Sequence, residues 1–414
     1  MSYNKFHDDW KNDPDSSTPI TAEAIEHIED GVQRAHVAID RASIGSLRVT
    51  NLEGLQRWAD ARGNALIRPV SISALGDSIT WGVGSDDTAN TTDEDVMRQR
   101  SWCVQLRKRL NLTWGAQDAN GWMGLRPAFA SGALTSGATA SASIGPYGSF
   151  SGGGVSITPG GTVSWPTSSK LGAFTEIDVW YWGSDAAVTT PREPLVTIDG
   201  TARNSPTADS ATGSLRKVTV TGLADTAHEV VLSTAGGTCY LFGVTVRRSP
   251  SGFVVNRVAK SGATTNDICG TQTGAARTRN IDAALLDSDL LILALGTNDQ
   301  GSQVALDKYK ANLQEVIDRQ VARGGCVLLI GEPPRAVPTG EITENQYRDA
   351  MRSLAGGSNP HVAYTDWRDF FGDGAEAFHR GLFPTYNTVH PSAKGHGVIA
   401  NAMYELLTLP SYRA

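Results

Sequence analysis

The chain has 414 residues, 40% of them hydrophobic and 19% charged, and a formal net charge of -7. That length is too great for one ordinary core, and the composition is that of a globular chain. An acidic balance without a Lys/Arg-rich run argues against a nucleic-acid surface, and no apolar run approaches the roughly 20 residues that span a bilayer.

The opening, "MSYNKFHDDWKNDPDSS", is polar and acidic and has no signal-peptide-like apolar stretch. Residues 1–45 then carry a helical pattern, "TPITAEAIEHIEDGVQRAHVAIDRAS". Ile25, Ile28, Val32, Ala35 and Ile39 follow the 3-4 spacing of a heptad seam over two repeats. Thr21 is placed as an N-cap, with Ile20 and Ile25 at staple spacing. Isoleucines at the seam lean toward a homotrimer, although the same stripe also suits a helix lying on its own domain. Two heptads are marginal alone, so an oligomer would need further contacts.

The second region runs over 46–128 and resumes over 251–414. "VSISAL", "DLLILALG" and "CVLLIGEPP" read as buried strands, each ending in Gly or Pro turns. Helical patterns alternate with them. In "VALDKYKANLQEVIDRQVARGG" the stripe is Leu306, Tyr309, Leu313, Val316, Ile317 and Gln320, and Gly324 is the stop. Near-continuous apolar strands alternating with helices imply a parallel sheet covered on both faces, with ligands beyond the carboxyl ends of its strands. Ser78, in "SALGDSITWGVGS", and "GTND" at 296–299 both fall at such ends.

Residues 129–250 interrupt that region. A Gly/Ser/Ala-rich lead is followed by short turn-separated β-type runs, which suggest an inserted antiparallel sandwich, jelly-roll-like, with glycan contact as one expected use. In "EIDVWYWG", Ile177, Val179 and Tyr181 alternate with Asp178, Trp180 and Trp182. Exposed, the two tryptophans would suit stacking on sugar rings; buried between sheets, they need no function.

The four cysteines, Cys103, Cys239, Cys269 and Cys326, have no CxxC or Cys/His ligand spacing, so no metal site is expected and disulfides stay undecided. Serine needs a base to take its proton and donors to hold the oxyanion. His390 stands just before a Pro-started helix in "NTVHPSAKGHGVIANAMYELL". Asn298, at a strand end, offers an amide N–H, and Gly262 in "VAKSGATTNDI" can bring a backbone N–H close to a ligand. Each has a bland reading as a cap or a turn former.

Taken together and in order, "GDSIT", the Gly in "KSGATTND", "GTND" and "VHP" resemble the SGNH hydrolases, also called GDSL esterases, over about 75–125 and 253–408. The resemblance implies a flavodoxin-like α/β/α sandwich. It also implies Ser78 as nucleophile, His390 as general base, and an oxyanion hole from the N–H groups of Ser78 and Gly262 and the Asn298 side chain. No metal or organic cofactor is implied. The G-x-S-x-G elbow of α/β-hydrolases does not occur around Ser78. One position departs: the family usually has Asp three residues before the histidine, and Asn387 stands there. An amide can orient an imidazole but cannot stabilise its positive charge; in a serine protease the equivalent exchange costs about 10⁴ in kcat. Three readings remain open. A Ser-His dyad could be oriented by Asn387 or a backbone carbonyl; a carboxylate such as Asp366, Asp369 or Asp373 could substitute; or the site could be dead and only bind. His396, six residues past His390, reads as structural, and Asp77 and Asp299 read as turn holders.

The first 40 residues also resemble a short N-terminal element of bacteriophage tail proteins, as does a Gly-rich lead into a β-sandwich between the first two SGNH blocks. That likeness implies a virion protein bound to other tail proteins through residues 1–45 and acting at the host cell surface. Its substrate would be an acyl ester, an O-acetyl group on a surface polysaccharide above all. The alternatives are a non-catalytic glycan-binding tail protein and a free bacterial GDSL lipase or esterase.

Overall fold

The computed structural model describes residues 48–89, 94–125, 138–140, 144–147, 154–169, 171–183, 193–206, 214–269, 274–334, 340–386, 388–409 and 412. The expected helix of residues 1–45 and Asn387 lie outside the described residues.

Six strands build the central sheet: β1 (Val49–Thr50), β2 (Pro69–Gly76), β3 (Gly252–Ala259), β4 (Leu290–Ala294), β5 (Cys326–Gly331) and β6 (Val362–Asp366). Their spatial order is β1-β6-β5-β4-β2-β3, with β2 to β6 parallel and β1 antiparallel on the β6 edge. Every residue of β4 and β5 is buried, which is why "LLILA" and "CVLLIG" carry no alternation: both faces are covered. Helices α2 (Trp102–Thr113) and α7 (Ala393–Leu407) cover one face, where Trp102, Leu106, Met403 and Leu406 pack on Ile72, Ile292 and Leu328. On the other lie α3 (Gly274–Leu285), α5 (Leu306–Ala322) and α6 (Glu344–Arg352). There the α5 stripe of Tyr309, Leu313, Val316 and Ile317 meets Leu291, Leu293, Val327 and Leu329. The chain is a three-layer α/β/α sandwich with flavodoxin-type strand order. Its strand order reverses at β2, between β3 and β4, and the crevice beyond β2 to β4 is where such a fold places its ligand.

Between α2 and β3 the chain makes two large antiparallel sheets and a two-stranded one, Ala173–Phe174 with Thr226–Ala227. One is ordered Thr201–Ala202, Leu195–Ile198, Val230–Ser233, Val163–Trp165, Thr139–Ala140. The other is ordered Leu215–Val220, Glu176–Trp182, Cys239–Arg247, Gly154–Ile157, Ile144–Tyr147. Gly121–Gly124, ahead of the Gly/Ser-rich lead, also pairs with Cys239–Arg247. The inner faces of the sheets share a core that includes Ile177, Val179, Tyr181, Val196, Leu232 and Leu241.

The outer face of Glu176–Trp182 is not open to solvent. Trp180 and Trp182 are 4% and 1% exposed, and with Trp122 and Phe242 they join the cluster of Leu75, Val258 and Leu285 on the second face of the central sheet. Trp180 Nε1 donates to Thr245 Oγ1 at 3.0 Å, and the Lys217 ammonium lies 5.0 Å from its ring centre. These rings join sandwich to sheet and leave no free face for a sugar.

Candidate active site

β2 ends on Gly76, where a Cβ would come within 2.7 Å of the Ala294 carbonyl oxygen, so only glycine lets β2 and β4 end side by side. Asp77 then caps the short helix α1 (Ser78–Trp81): its Oδ1 accepts the Ile79 N–H at 2.8 Å. Ser78 is thereby the first residue of that helix, recessed at 5% exposure. Arg257, on β3, donates to the Trp81 carbonyl and lies over the Trp81 ring, 4.6 Å from its centre. A buried cation thus meets the carbonyl end of α1.

His390 arrives from the other end of the chain. Its Nε2 is 2.9 Å from Ser78 Oγ, and its Nδ1 is 2.7 Å from the Ala89 carbonyl oxygen. A carbonyl only accepts, so Nδ1 carries the proton and Nε2 is left to accept from the serine hydroxyl. The ring's far nitrogen is engaged by backbone. The carboxylates weighed as substitutes are engaged elsewhere: Asp366 by Arg348 and the Tyr364 hydroxyl, Asp373 by the Glu376 N–H, and Asp369 by the Arg48 N–H. Helix α7 begins at Ala393 with Ser392 as its cap, so His390 sits in the loop before the helix rather than at its first turn.

The loop 82–89 carries the Ala89 carbonyl and is tied down at several points. Asp86 Oδ1 accepts the Thr88 N–H at 3.0 Å, and Asp87 Oδ1 accepts the Ala393 N–H at 2.9 Å. Gly84, at φ 90°, lies so close to the histidine loop that a Cβ would be 2.3 Å from the Pro391 oxygen and 3.0 Å from His390 Cβ. His396 is fully buried, with Nε2 donating to the Val83 carbonyl at 3.1 Å and its Nδ1 3.4 Å from the Trp102 N–H. It is structural, as its position suggested.

Asn298 belongs to the short helix α4 (Thr297–Gly301) that follows β4. Its Nδ2 donates to Asp77 Oδ2 at 2.8 Å and to the Ala263 carbonyl at 3.1 Å. One amide therefore bonds the residue before Ser78 and the residue after Gly262. Gly262 has φ 76°, the left-handed region that favours glycine, at the exposed turn after β3. Asp299 holds that turn rather than its own: its Oδ1 accepts both the N–H and the hydroxyl of Thr265, at 3.0 and 2.6 Å.

Burial pushes the His390 imidazole below the usual histidine range, and the Ala89 carbonyl offsets part of this. The ring is neutral at neutral pH and free to take a proton. Behind Asn298 lies a carboxyl group that the motifs do not mark, Glu332, at the end of β5 and 5% exposed. Its Oε2 accepts the Thr297 N–H at 2.8 Å. Burial first, then the charge of Glu332, holds Asp77 well above the usual carboxylate range; burial, helped by the charges of Glu332 and Asp267, lifts Asp299 to about 6 against the bonds from Thr265.

The site thus gathers Ser78, His390 and Asn298, with Gly262 one residue from an Asn298 contact. Four contributors were missed: Gly84, Ala89, Arg257 and Glu332. Ala89 and Gly84 act through backbone and have no residue-type signature. Glu332 had a faint one, a charged residue between an unbroken apolar strand and "PP". Among the described residues no cluster of His, Cys, Asp or Glu is arranged to hold a metal ion, and no helix is long and apolar enough to cross a membrane.

Residues 222–398 match the GDSL-like Lipase/Acylhydrolase family, a span that includes Gly262, Asn298 and His390 but not Ser78. No curated protein matches the sequence. Among solved structures, a peptidoglycan O-acetylesterase is similar at 14% identity and a TM-score of 0.56, covering 86% of this chain and 97% of that one. At that identity the likeness is one of fold. An acetylxylan esterase from Geobacillus stearothermophilus is 20% identical over 39% of this chain and 76% of that one, with a TM-score of 0.29. A family 6 carbohydrate-binding module is 19% identical over 27% of this chain and 87% of that one, with a TM-score of 0.20.

Proposed function

We propose that this chain is a GDSL/SGNH-type serine esterase that removes short acyl groups, acetyl above all, from carbohydrate. The observation that carries the reading is the 2.9 Å contact between Ser78 Oγ and a His390 ring whose far nitrogen is already held, at the sheet's reversal point. His390 takes the Ser78 proton as Oγ attacks the acyl carbon. The resulting oxyanion is received by the N–H groups of Ser78 and Gly262 and by the Asn298 amide, which turns one N–H from the Ala263 carbonyl to reach it. His390 returns the proton to the departing sugar oxygen; water then cleaves the acyl-enzyme by the same route in reverse, giving acid and free serine. In this reading the Ala89 carbonyl orients the imidazole, which makes the site a Ser-His dyad oriented by backbone. A recessed serine suits a short acyl group better than a long chain. The peptidoglycan O-acetylesterase of the same fold supports carbohydrate-borne esters as the substrate class.

A second reading places the enzyme on a virion, docked through residues 1–45 and acting at a host cell surface. It is favoured by the heptad stripe Ile25 to Ile39 and its likeness to tail proteins. Native mass measurement of the purified chain separates the two: a trimer supports the virion setting, and a monomer a free enzyme.

Wild type and Ser78→Ala are compared on p-nitrophenyl acetate and on O-acetylated polysaccharide, with released acetate measured. Wild type is expected to release acetate from both and the variant from neither. Equal rates from the two proteins sink the esterase reading and leave a glycan-binding protein.

A further inference from the structure

The sandwich and the central sheet meet tightly around Trp182 and part again toward the amino ends of β2, β3 and β4. There they leave a hollow of about 470 Å³, within the roughly 300–1,000 Å³ of small-molecule sites, which favour such junctions. Ser71, Asn256 and Asp289 stand in its wall on the sheet side. Ser71 comes five residues before Gly76, about 16 Å along β2 from the end that carries Ser78. The hollow is therefore separate from the crevice of the candidate active site.

The opposite wall is the polar end of the strand face that Trp182 closes. Alternation puts Glu176, Asp178 and Trp180 on it. Pairing sets Lys217 opposite Trp180, and both Thr219 and Thr245 opposite Asp178. The charges are spent on one another. Arg247 lies 3.1 Å from Glu176 and 2.5 Å from Asp178, Lys217 3.2 Å from Asp287, and Arg68 2.8 Å from Asp289. Among the described residues no group of His, Cys, Asp or Glu is arranged to hold a metal ion.

The neutral groups are not spent. Asn256 is 2% exposed, and its Nδ2 donates to Ser71 Oγ at 3.1 Å. Its buried Oδ1 meets no donor among the described residues. Ser71 Oγ accepts the Asn256 bond, which leaves its own O–H to give. A buried acceptor without a donor is costly, and a ligand that brings a donor relieves it.

We infer that this junction is a second binding site, for a neutral saccharide, apart from Ser78. A hydroxyl group both donates and accepts, so a sugar can bond Asn256 Oδ1, take the Ser71 proton and use the remaining lone pairs of the paired carboxylates. An apolar ligand would strand these groups, and a charged one would have to break ion pairs. The Trp180 ring is covered, so the grip is by hydrogen bonds rather than by stacking. The binding does not depend on the esterase reading, but its use does. A second hold on a polymeric glycan keeps further acyl groups close to Ser78 by effective concentration.

Isothermal titration calorimetry with xylotetraose and chitotetraose tests this, since neither carries an ester for Ser78 to attack. At least one should bind wild type with a millimolar or tighter Kd. Thr219 is exposed and lines the hollow, so Thr219→Trp puts a ring into it with the strand intact, and it should abolish the heat. Circular dichroism verifies the fold of that variant. Ser71→Ala removes one donor and should weaken binding about fivefold. The place of binding is read separately, by hydrogen exchange with mass spectrometry. The bound sugar should slow exchange in the edge strand Leu215–Val220. No binding of either sugar, equal affinity in wild type and Thr219→Trp, or protection confined to the loop 82–89 overturns the proposal. Inorganic phosphate bound there in place of sugar marks an anion site and overturns it as well. Equal hydrolysis by wild type and Ser78→Ala marks failure of the esterase reading instead, and the calorimetry still decides the junction.

Discussion

In the proposed dyad the Ala89 carbonyl takes the place that a carboxylate has in many serine hydrolases, and only in part. It fixes the tautomer and aim of His390, but it brings no full negative charge to meet the imidazolium that forms. The positions that hold this carbonyl therefore bear on rate as much as side chains do. Gly84 is the tightest of them. A methyl group there would collide with the Pro391 oxygen and press on His390 Cβ, at a φ that side chains rarely adopt. Gly84→Ala is expected to lower kcat by about 10²-fold with little change in KM, because misplacing a base by about an ångström costs that much. Steady-state kinetics, with circular dichroism to verify folding, checks it; unaltered kcat would mean that the loop does not set the histidine. At this scale the proposed site residues Ser78, Gly262, Asn298 and His390 could be picked out by motifs in a known order, the first three just beyond strand ends and His390 in the loop before α7. Gly84 and Ala89 were not, since a carbonyl contact between residues 301 positions apart leaves no mark on residue type.

The elements read well where burial is two-sided. β4 and β5 are unbroken apolar runs, and α5 carries the stripe that its spacing implies, ending at Gly324 in the left-handed region. The strand Glu176–Trp182 was ambiguous for a physical reason: alternation marks two faces but cannot say what covers the second. Its outward tryptophans are an interface. Trp182 is 1% exposed, edge-on to Phe242 at 6.4 Å and under the Arg279 guanidinium at 5.9 Å. Trp182→Ala is expected to cost about 3–5 kcal/mol, as large aromatic truncations in cores do. Chemical denaturation measures this. A loss under about 1 kcal/mol, together with weakened glycan binding, would return the ring to a role in sugar contact.

At the scale of the molecule, the sandwich and the α/β layers share one apolar cluster, in which Trp122, Trp180, Trp182 and Phe242 meet Leu75, Val258 and Leu285. Lobes joined by a polar surface melt separately, whereas lobes joined by core melt together. Calorimetry of the full chain is expected to give one cooperative transition for both lobes, with calorimetric and van't Hoff enthalpies equal. Two resolved transitions would mean that the shared cluster is not what couples them. Sequence alone determined the layered α/β class, because burial pattern and turn chemistry are local properties, and its motif order marked the four stretches on which the proposed site rests. Tertiary structure decided the rest: that the Ala89 carbonyl faces the imidazole, that Glu332 takes the Thr297 N–H beside Asn298, and that the tryptophans are covered. Those are contacts between distant parts of the chain, set by which surfaces meet when the sheet closes over its helices.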